Sequence, residues 1–272
     1  MGRATPLILV TNDDGIDSPG LHAVVAAVAA LGEPLIVAPL TQQTSMGRSM
    51  PVGREIGVIA ERLLTIGGRS YPAYAVNGSP AQAVLHALLE LAPRIPSLCV
   101  SGVNYGENLG ASLSRSGTVG AALEAAAQRV PAIAMSLEAP LEAQHAEGYA
   151  EIDWTVALHV TRGLAHRVLQ QGLPAGARLL NVAIPTTATV STALRLTRQS
   201  QQNYYSERMP PPRDLTTAYR FLASTGYDLA TLEPDSDIYA FAVDRVLSVT
   251  PLTLDLTARQ LSPSWLTAPE KG

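Results

Sequence analysis

Leu7-Ile8-Leu9-Val10-Thr11-Asn12-Asp13-Asp14-Gly15 is the stretch from which both fold and chemistry can be read. Its first four residues are apolar and partly β-branched, the signature of a strand buried on both faces of a parallel sheet. The run stops abruptly on polar residues and Gly15. Pro19-Gly20 then precedes an Ala/Val/Leu stretch that predicts a helix over about 20–31, and Leu35-Ile36-Val37-Ala38 predicts a second strand ended by Pro39. Strand, helix and strand at this spacing form a βαβ unit with a right-handed crossover.

The same alternation continues outward. Tyr74-Ala75-Val76 reads as a strand and Pro80 opens a helix to about Leu91; Leu98-Cys99-Val100 is a strand, followed by a Gly/Asn/Ser loop and an Ala-rich helix over about 118–128. Ile133-Ala134-Met135 is a further strand, and a helix over about 148–171 leads into Leu179-Leu180-Asn181-Val182. The expected fold class is therefore α/β, a doubly wound, mostly parallel, Rossmann-like sheet. Past Pro185 the grain changes. Val190 to Leu196 alternates as an antiparallel strand with one wet face would, Gln199 to Arg213 reads as a mobile polar loop, Asp235 to Asp244 as a short helix and Val246 to Leu252 as a strand. The boundary is placed near 186, giving an α/β catalytic domain over 1–185 and a smaller C-terminal antiparallel β/helix appendage over 186–272.

Composition narrows the function. Of the 272 residues 47% are hydrophobic and 15% charged, enough for a sizeable core, and the 5% of aromatics favours aliphatic packing of helices on a sheet. With a net charge of −4 and no basic cluster interleaved with aromatics, a nucleic-acid polymer is a poor partner. No apolar run approaches the roughly 18 residues of a membrane span, the N-terminus lacks a signal-peptide pattern, and the single cysteine, Cys99, reads as a buried strand residue. A cytoplasmic protein without a membrane partner is expected.

Ligands of open α/β sheets bind outside the carboxyl ends of the strands, and the distinctive motifs fall there. Asn12-Asp13-Asp14-Gly15 places two carboxylates side by side, a conflict that a hard divalent cation resolves with oxygen ligands; the alternative is a local capping turn. Ser101-Gly102-Val103-Asn104-Tyr105-Gly106-Glu107-Asn108-Leu109-Gly110 follows a buried strand and offers the amides of Asn104 and Asn108, or is an Asn/Gly turn. Ser116-Gly117-Thr118 precedes a helix whose free N–H groups would bind an anion, or simply caps it. Gln42 to Ser49 supplies hydroxyls and Arg48, a candidate phosphate contact; Asn77-Gly78-Ser79-Pro80 reads more as a helix cap than as a pocket wall. His22, His86, His145, His159 and His166 form no ligand pair, and neither a dinucleotide glycine fingerprint nor a serine-hydrolase elbow is present. Together the motifs favour a metal-and-phosphate enzyme over a non-catalytic nucleotide-binding module or a nucleotide-cofactor oxidoreductase.

In this order the residues resemble the survival protein SurE family of 5′-nucleotidases. The matching stretches are Val10 to Ile16 with Ser18-Pro19-Gly20, Val37-Ala38-Pro39, Ser101 to Gly110, Ser116 to Val119 and Ser248 to Leu252. The resemblance implies a metal-dependent phosphomonoesterase acting on nucleoside 5′-monophosphates, with other phosphomonoesters or short polyphosphate as further substrates. It implies one divalent cation per subunit, Mg²⁺ or Mn²⁺, held by Asp13, Asp14, Asn104 and a hydroxyl in the loop after Pro39. The family's serine there falls on Thr44, with Ser45 as the alternative. Asp13 and Asp14 would also serve catalysis, a covalent aspartyl-phosphate ranking below direct attack by water, and Asn108, Ser116, Gly117 and Thr118 would hold the phosphate. Homodimers or homotetramers that exchange the appendage between subunits are implied as well.

Overall fold

The computed structural model describes residues 5–141, 144, 148–219 and 221–258; His145 and residues 259–272 lie outside them. One nine-stranded sheet organises the chain. Its strands are β1 (Leu7–Thr11), β2 (Glu33–Pro39), β3 (Ile59–Ile66), β4 (Arg69–Val76), β5 (Leu98–Tyr105), β6 (Ala132–Leu137), β7 (Leu179–Ile184), β8 (Leu194–Leu196) and β11 (Leu247–Leu252), in the order β3-β4-β2-β1-β5-β6-β7-β11-β8. From β4 through β7 all neighbours are parallel.

The helices α1 (Pro19–Val28), α2 (Pro80–His86), α3 (Gly117–Ala127) and α4 (Thr155–Gln171) cover the sheet two to a face. Helices α1 and α4 pack with Ile8, Val10, Val100 and Ile133, whereas α2 and α3 pack with Leu7, Leu9, Cys99 and Ala132. Alternate residues of each central strand thus serve opposite cores, which is why these strands read as unbroken apolar runs. The doubly wound expectation is met. The chain runs from β1 outward to β2 on one side and later returns to β5 on the other, so the switch point lies between the carboxyl ends of β1 and β5.

Four sequence expectations need correction. The strand at Tyr74 belongs to an unanticipated antiparallel hairpin, β3–β4, joined through Gly67-Gly68. The helix expected from 148 begins only at Thr155, whose N–H is held by Asp153 Oδ1 (2.9 Å), while Trp154 packs edge-on against Tyr105 and Tyr149 donates to the Asp14 carbonyl (3.0 Å). Those contacts hold 149–154 against the carboxyl ends of the central strands instead of letting the helix extend. Strand β8 is three residues long and parallel to β11; it is β11 that turns antiparallel, against β7. Nor is 199–213 merely a polar loop: β9 (Tyr205–Glu207) pairs antiparallel with β10 (Ala223–Thr225), and Tyr204 is buried with Leu109, Leu232, Ile238 and Phe241. Among the described residues no helix is long and apolar enough to cross a membrane.

Candidate active site

Strand β1 delivers its two aspartates to the switch point by a short, tightly specified turn. Asn12 closes it from both sides, its Nδ2 donating to the Gly15 carbonyl (3.0 Å) and its Oδ1 accepting from Gly15 N (3.2 Å). Gly15 has φ +101°, a left-handed conformation that side chains disfavour. Asn12 is therefore structural, and the turn it makes leaves Asp13 and Asp14 side by side, both more than nine-tenths buried.

Helix α3 holds Asp13. Ser116 caps the helix by accepting from Val119 N (3.1 Å), Thr118 Oγ1 donates to Asp13 Oδ1 (2.5 Å), and the backbone N–H groups of Gly117 and Thr118 also point at this carboxylate. The anion at the positive end of α3 is thus Asp13 itself. Burial nevertheless dominates and pushes its pKa from 3.8 up to about 6. Asp14 receives longer bonds, from Tyr105 N (3.2 Å) and Gln42 Nε2 (3.4 Å); burial and the Asp13 charge raise its pKa well above the usual carboxylate range. Among the described residues no Lys, Arg or His forms an ion pair with either aspartate.

The remaining oxygen donors arrive on two neighbouring loops. Past Ser101 the register between β5 and β6 shifts, and Gly102 (φ +129°) sits where a Cβ would lie 2.3 Å from the Met135 carbonyl, so only glycine lets β5 continue to Asn104. Asn104 commits its amide nitrogen to the carbonyls of Gly106 (2.6 Å) and Tyr105 (3.2 Å), leaving its oxygen as the free end. The loop after β2 is fastened to the aspartate turn by Gln43 N donating to Asp13 O (2.7 Å) and to the opposite wall by Gly47 N donating to Arg115 O (3.0 Å). Between these ties Thr44 and Ser45 both face the cleft, Ser45 at φ +61°.

The cleft is a small cavity of about 140 Å³, partly open to solvent. Asp13, Asp14, Thr44, Ser45, Asn104 and Asn108 line it, with Ser116 on the same wall. Asn108 gives one amide hydrogen to Ser136 Oγ (2.9 Å) and keeps the other. Gly117 and Thr118 lie beneath Asp13 instead of lining the cleft, Thr118 being fully buried. Arg48 is turned away, paired with the buried Glu124 at 2.6 Å, and Ser79 forms a capping box with Gln82, so neither of these two residues lines the cleft. Cys99 is buried in the sheet with its thiol pushed up to about 12 by desolvation, an inert strand residue.

Sequence reasoning missed the far wall. Glu107 accepts a hydrogen bond from the Tyr205 hydroxyl, and Tyr204, Tyr205 and Glu207, in and beside β9, complete the cleft together with Arg115. Arg115 directly precedes the Ser116 cap and was open to notice; the tyrosines sit in a polar stretch whose pairing with β10 is nonlocal.

The family model described as survival protein SurE matches residues 8–206. The chain is 40% identical over 255 residues to the 5′-nucleotidase SurE of Thermococcus kodakarensis, covering 93% of this chain and 94% of that one. It is 41% identical over 257 residues to the 5′-nucleotidase SurE of Methanocella arvoryzae, covering 92% and 93%. The crystal structure of the SurE protein from Aquifex aeolicus superimposes with a TM-score of 0.72 at 28% identity, covering 97% of this chain and all of that one.

Proposed function

The chain belongs to the survival protein SurE family, and on that premise we propose that it is a 5′-nucleotidase, a phosphoric monoester hydrolase releasing phosphate from nucleoside 5′-monophosphates. The observation that carries the reading is the pair of adjacent, buried, ion-pair-free aspartates at the switch point of the sheet, opening into a cleft of oxygen donors.

These residues fit a hard divalent cation. Two carboxylates that repel each other lack a positive partner, and no third His, Cys, Asp or Glu gathers with them among the described residues. Further ligands would therefore be neutral oxygens, the Asn104 carboxamide and the hydroxyl of Thr44, with Ser45 as the alternative. Such all-oxygen sets suit Mg²⁺ or Mn²⁺, and a bound ion would supply Lewis-acid polarisation of a phosphoryl oxygen and a water of lowered pKa.

The protein's own part is orientation and charge. Thr118 and the α3 N–H groups fix Asp13, while Tyr105 N and Gln42 fix Asp14. One carboxylate of the pair accepts the proton of the attacking water. The free Asn108 hydrogen and the Ser116 hydroxyl donate to the phosphoryl oxygens, where charge builds in the transition state. In-line attack by water is favoured over an aspartyl-phosphate because Asp13 already accepts from the Thr118 hydroxyl and faces the N–H groups that open α3, which hold it as an acceptor. Because these contacts all address the phosphate, other phosphomonoesters and short polyphosphate are proposed as further substrates.

A homodimer or homotetramer exchanging appendage segments is proposed too, supported by apolar side chains left in water there, such as Met209 (93% exposed) and Leu215 (83%). The lone reduced Cys99 suits a cytoplasmic location. Phosphate release from several nucleoside monophosphates, with and without Mn²⁺, tests the activity. Turnover that survives thorough chelation would overturn the metal mechanism, and nucleotide binding without release would make the protein a binding module.

A further inference from the structure

We propose that Arg115 binds the substrate's phosphate and that Glu207 of the appendage is its resting partner, released when substrate arrives. The inference rests on the nucleotidase reading and extends it to a residue that the metal-and-phosphate motifs do not include.

The cleft has an electrostatic problem. Its walls hold Asp13, Asp14, Glu107 and Glu207, four acidic side chains facing a substrate that is itself a dianion. Two of the acids are the cation's proposed ligands; the others remain. Among the described residues Arg115 is the one cationic side chain on these walls. Arg48 cannot substitute, because leaving Glu124 would strand a buried carboxylate.

Arg115 is also correctly mounted. It ends the 3-10 turn Ala111–Arg115 and immediately precedes Ser116, and its carbonyl accepts from Gly47 N (3.0 Å), tying it to the loop that carries Thr44 and Ser45. Its backbone is thus part of the rigid wall while its side chain, 59% exposed, can swing. Nη1 donates to Glu207 Oε1 on β9. Both ends of that pair are substantially exposed, so water screens it and it parts easily. A guanidinium carries five donors in a planar fork that matches two phosphate oxygens better than the single bond made to Glu207.

The arrangement predicts opposite effects for the two partners. Arg115→Gln should lower kcat/KM for nucleoside monophosphates and for p-nitrophenyl phosphate alike by about 10- to 100-fold, the range of a charge-assisted contact. The inhibition constant for inorganic phosphate should rise in parallel, with Arg115→Lys intermediate. Glu207→Gln should instead tighten phosphate inhibition by about two- to five-fold, as expected on removing an exposed competitor, and that gain should vanish in the Arg115→Gln background. If both single variants weaken phosphate binding alike, the pair is a structural latch and the proposal fails. If the Glu207→Gln gain persists without Arg115, it reflects only a removed negative charge and the proposal also fails. A wild-type protein that hydrolyses no monoester would refute the nucleotidase reading instead, and inorganic phosphate binding would still decide the role of Arg115.

Discussion

Replacing Asp13 by Asn should abolish catalysis and yet stabilise the metal-free protein. Burial holds the Asp13 carboxyl at about 6 in place of 3.8, equivalent to about 3 kcal/mol spent on ionising it inside the fold at pH 7. The folded carboxyl keeps its proton to higher pH than the unfolded one. Stability of the metal-free protein therefore falls as pH rises from about 4 through 6, and the whole penalty is present at pH 7. Asn removes the charge and retains the bond from Thr118 Oγ1, but its NH₂ cannot accept from the α3 amides, a loss of about 1 kcal/mol. The balance, about 2 kcal/mol, corresponds to a melting temperature higher by about 4 °C for a chain of this size. Thermal unfolding at pH 7.5 in EDTA checks it. In Mn²⁺ at about 100 times its dissociation constant the order should reverse, because the wild type then gains about 2.7 kcal/mol from binding. An Asp13→Asn protein that melts below wild type in EDTA would refute the claim that the pair is strained without its cation.

Three other perturbations probe different parts of the structure. Gly117→Ala would place a Cβ 2.7–2.8 Å from the Asp13 side chain, so phosphate release should fall at least about 10-fold with folding retained, as measured by turnover and circular dichroism. Arg48→Gln should destabilise by about 2 kcal/mol, because Glu124 is 3% exposed and loses its cation, while the inhibition constant for inorganic phosphate stays unchanged; denaturant titration and inhibition kinetics read the two effects. Cys99, with its thiol at about 12 and no exposed surface, should resist thiol reagents at pH 8 until the protein is unfolded, and rapid native labelling would show that the central sheet opens.

What the sequence made legible was what local pattern determines. Strands β1, β2, β5, β6 and β7 are apolar on both faces because helices cover both faces, so each announces itself in four or five residues. The functional motifs follow because they sit where those runs stop. Hidden features depend on contacts through space. Nothing local distinguishes Arg48 from Arg115; burial of Glu124 beside the first and exposure of Glu207 beside the second separate them. Thr118 reads as an anion ligand and instead serves Asp13, a distinction set by how closely α3 approaches β1. Helix α4 starts late because Trp154 and Tyr149 find partners on β5 and in the turn after β1. The Gly67-Gly68 turn between β3 and β4 was readable as a hairpin signal.

Strands β1 and β5 are the fourth and fifth of nine, so the chemistry sits at the middle of the sheet, with the antiparallel β3 and the three-residue β8 at its margins. That position separates what can vary from what cannot. The open Gly67-Gly68 tip, where an added Cβ meets nothing within 4 Å, can lengthen without being felt three strands away. A change in the spacing of β1 and β5 has no such refuge, since both faces and both neighbours are already packed. The margins of this protein are thus the natural places to graft new loops, tags or partners, and its centre is the part any such redesign must leave alone.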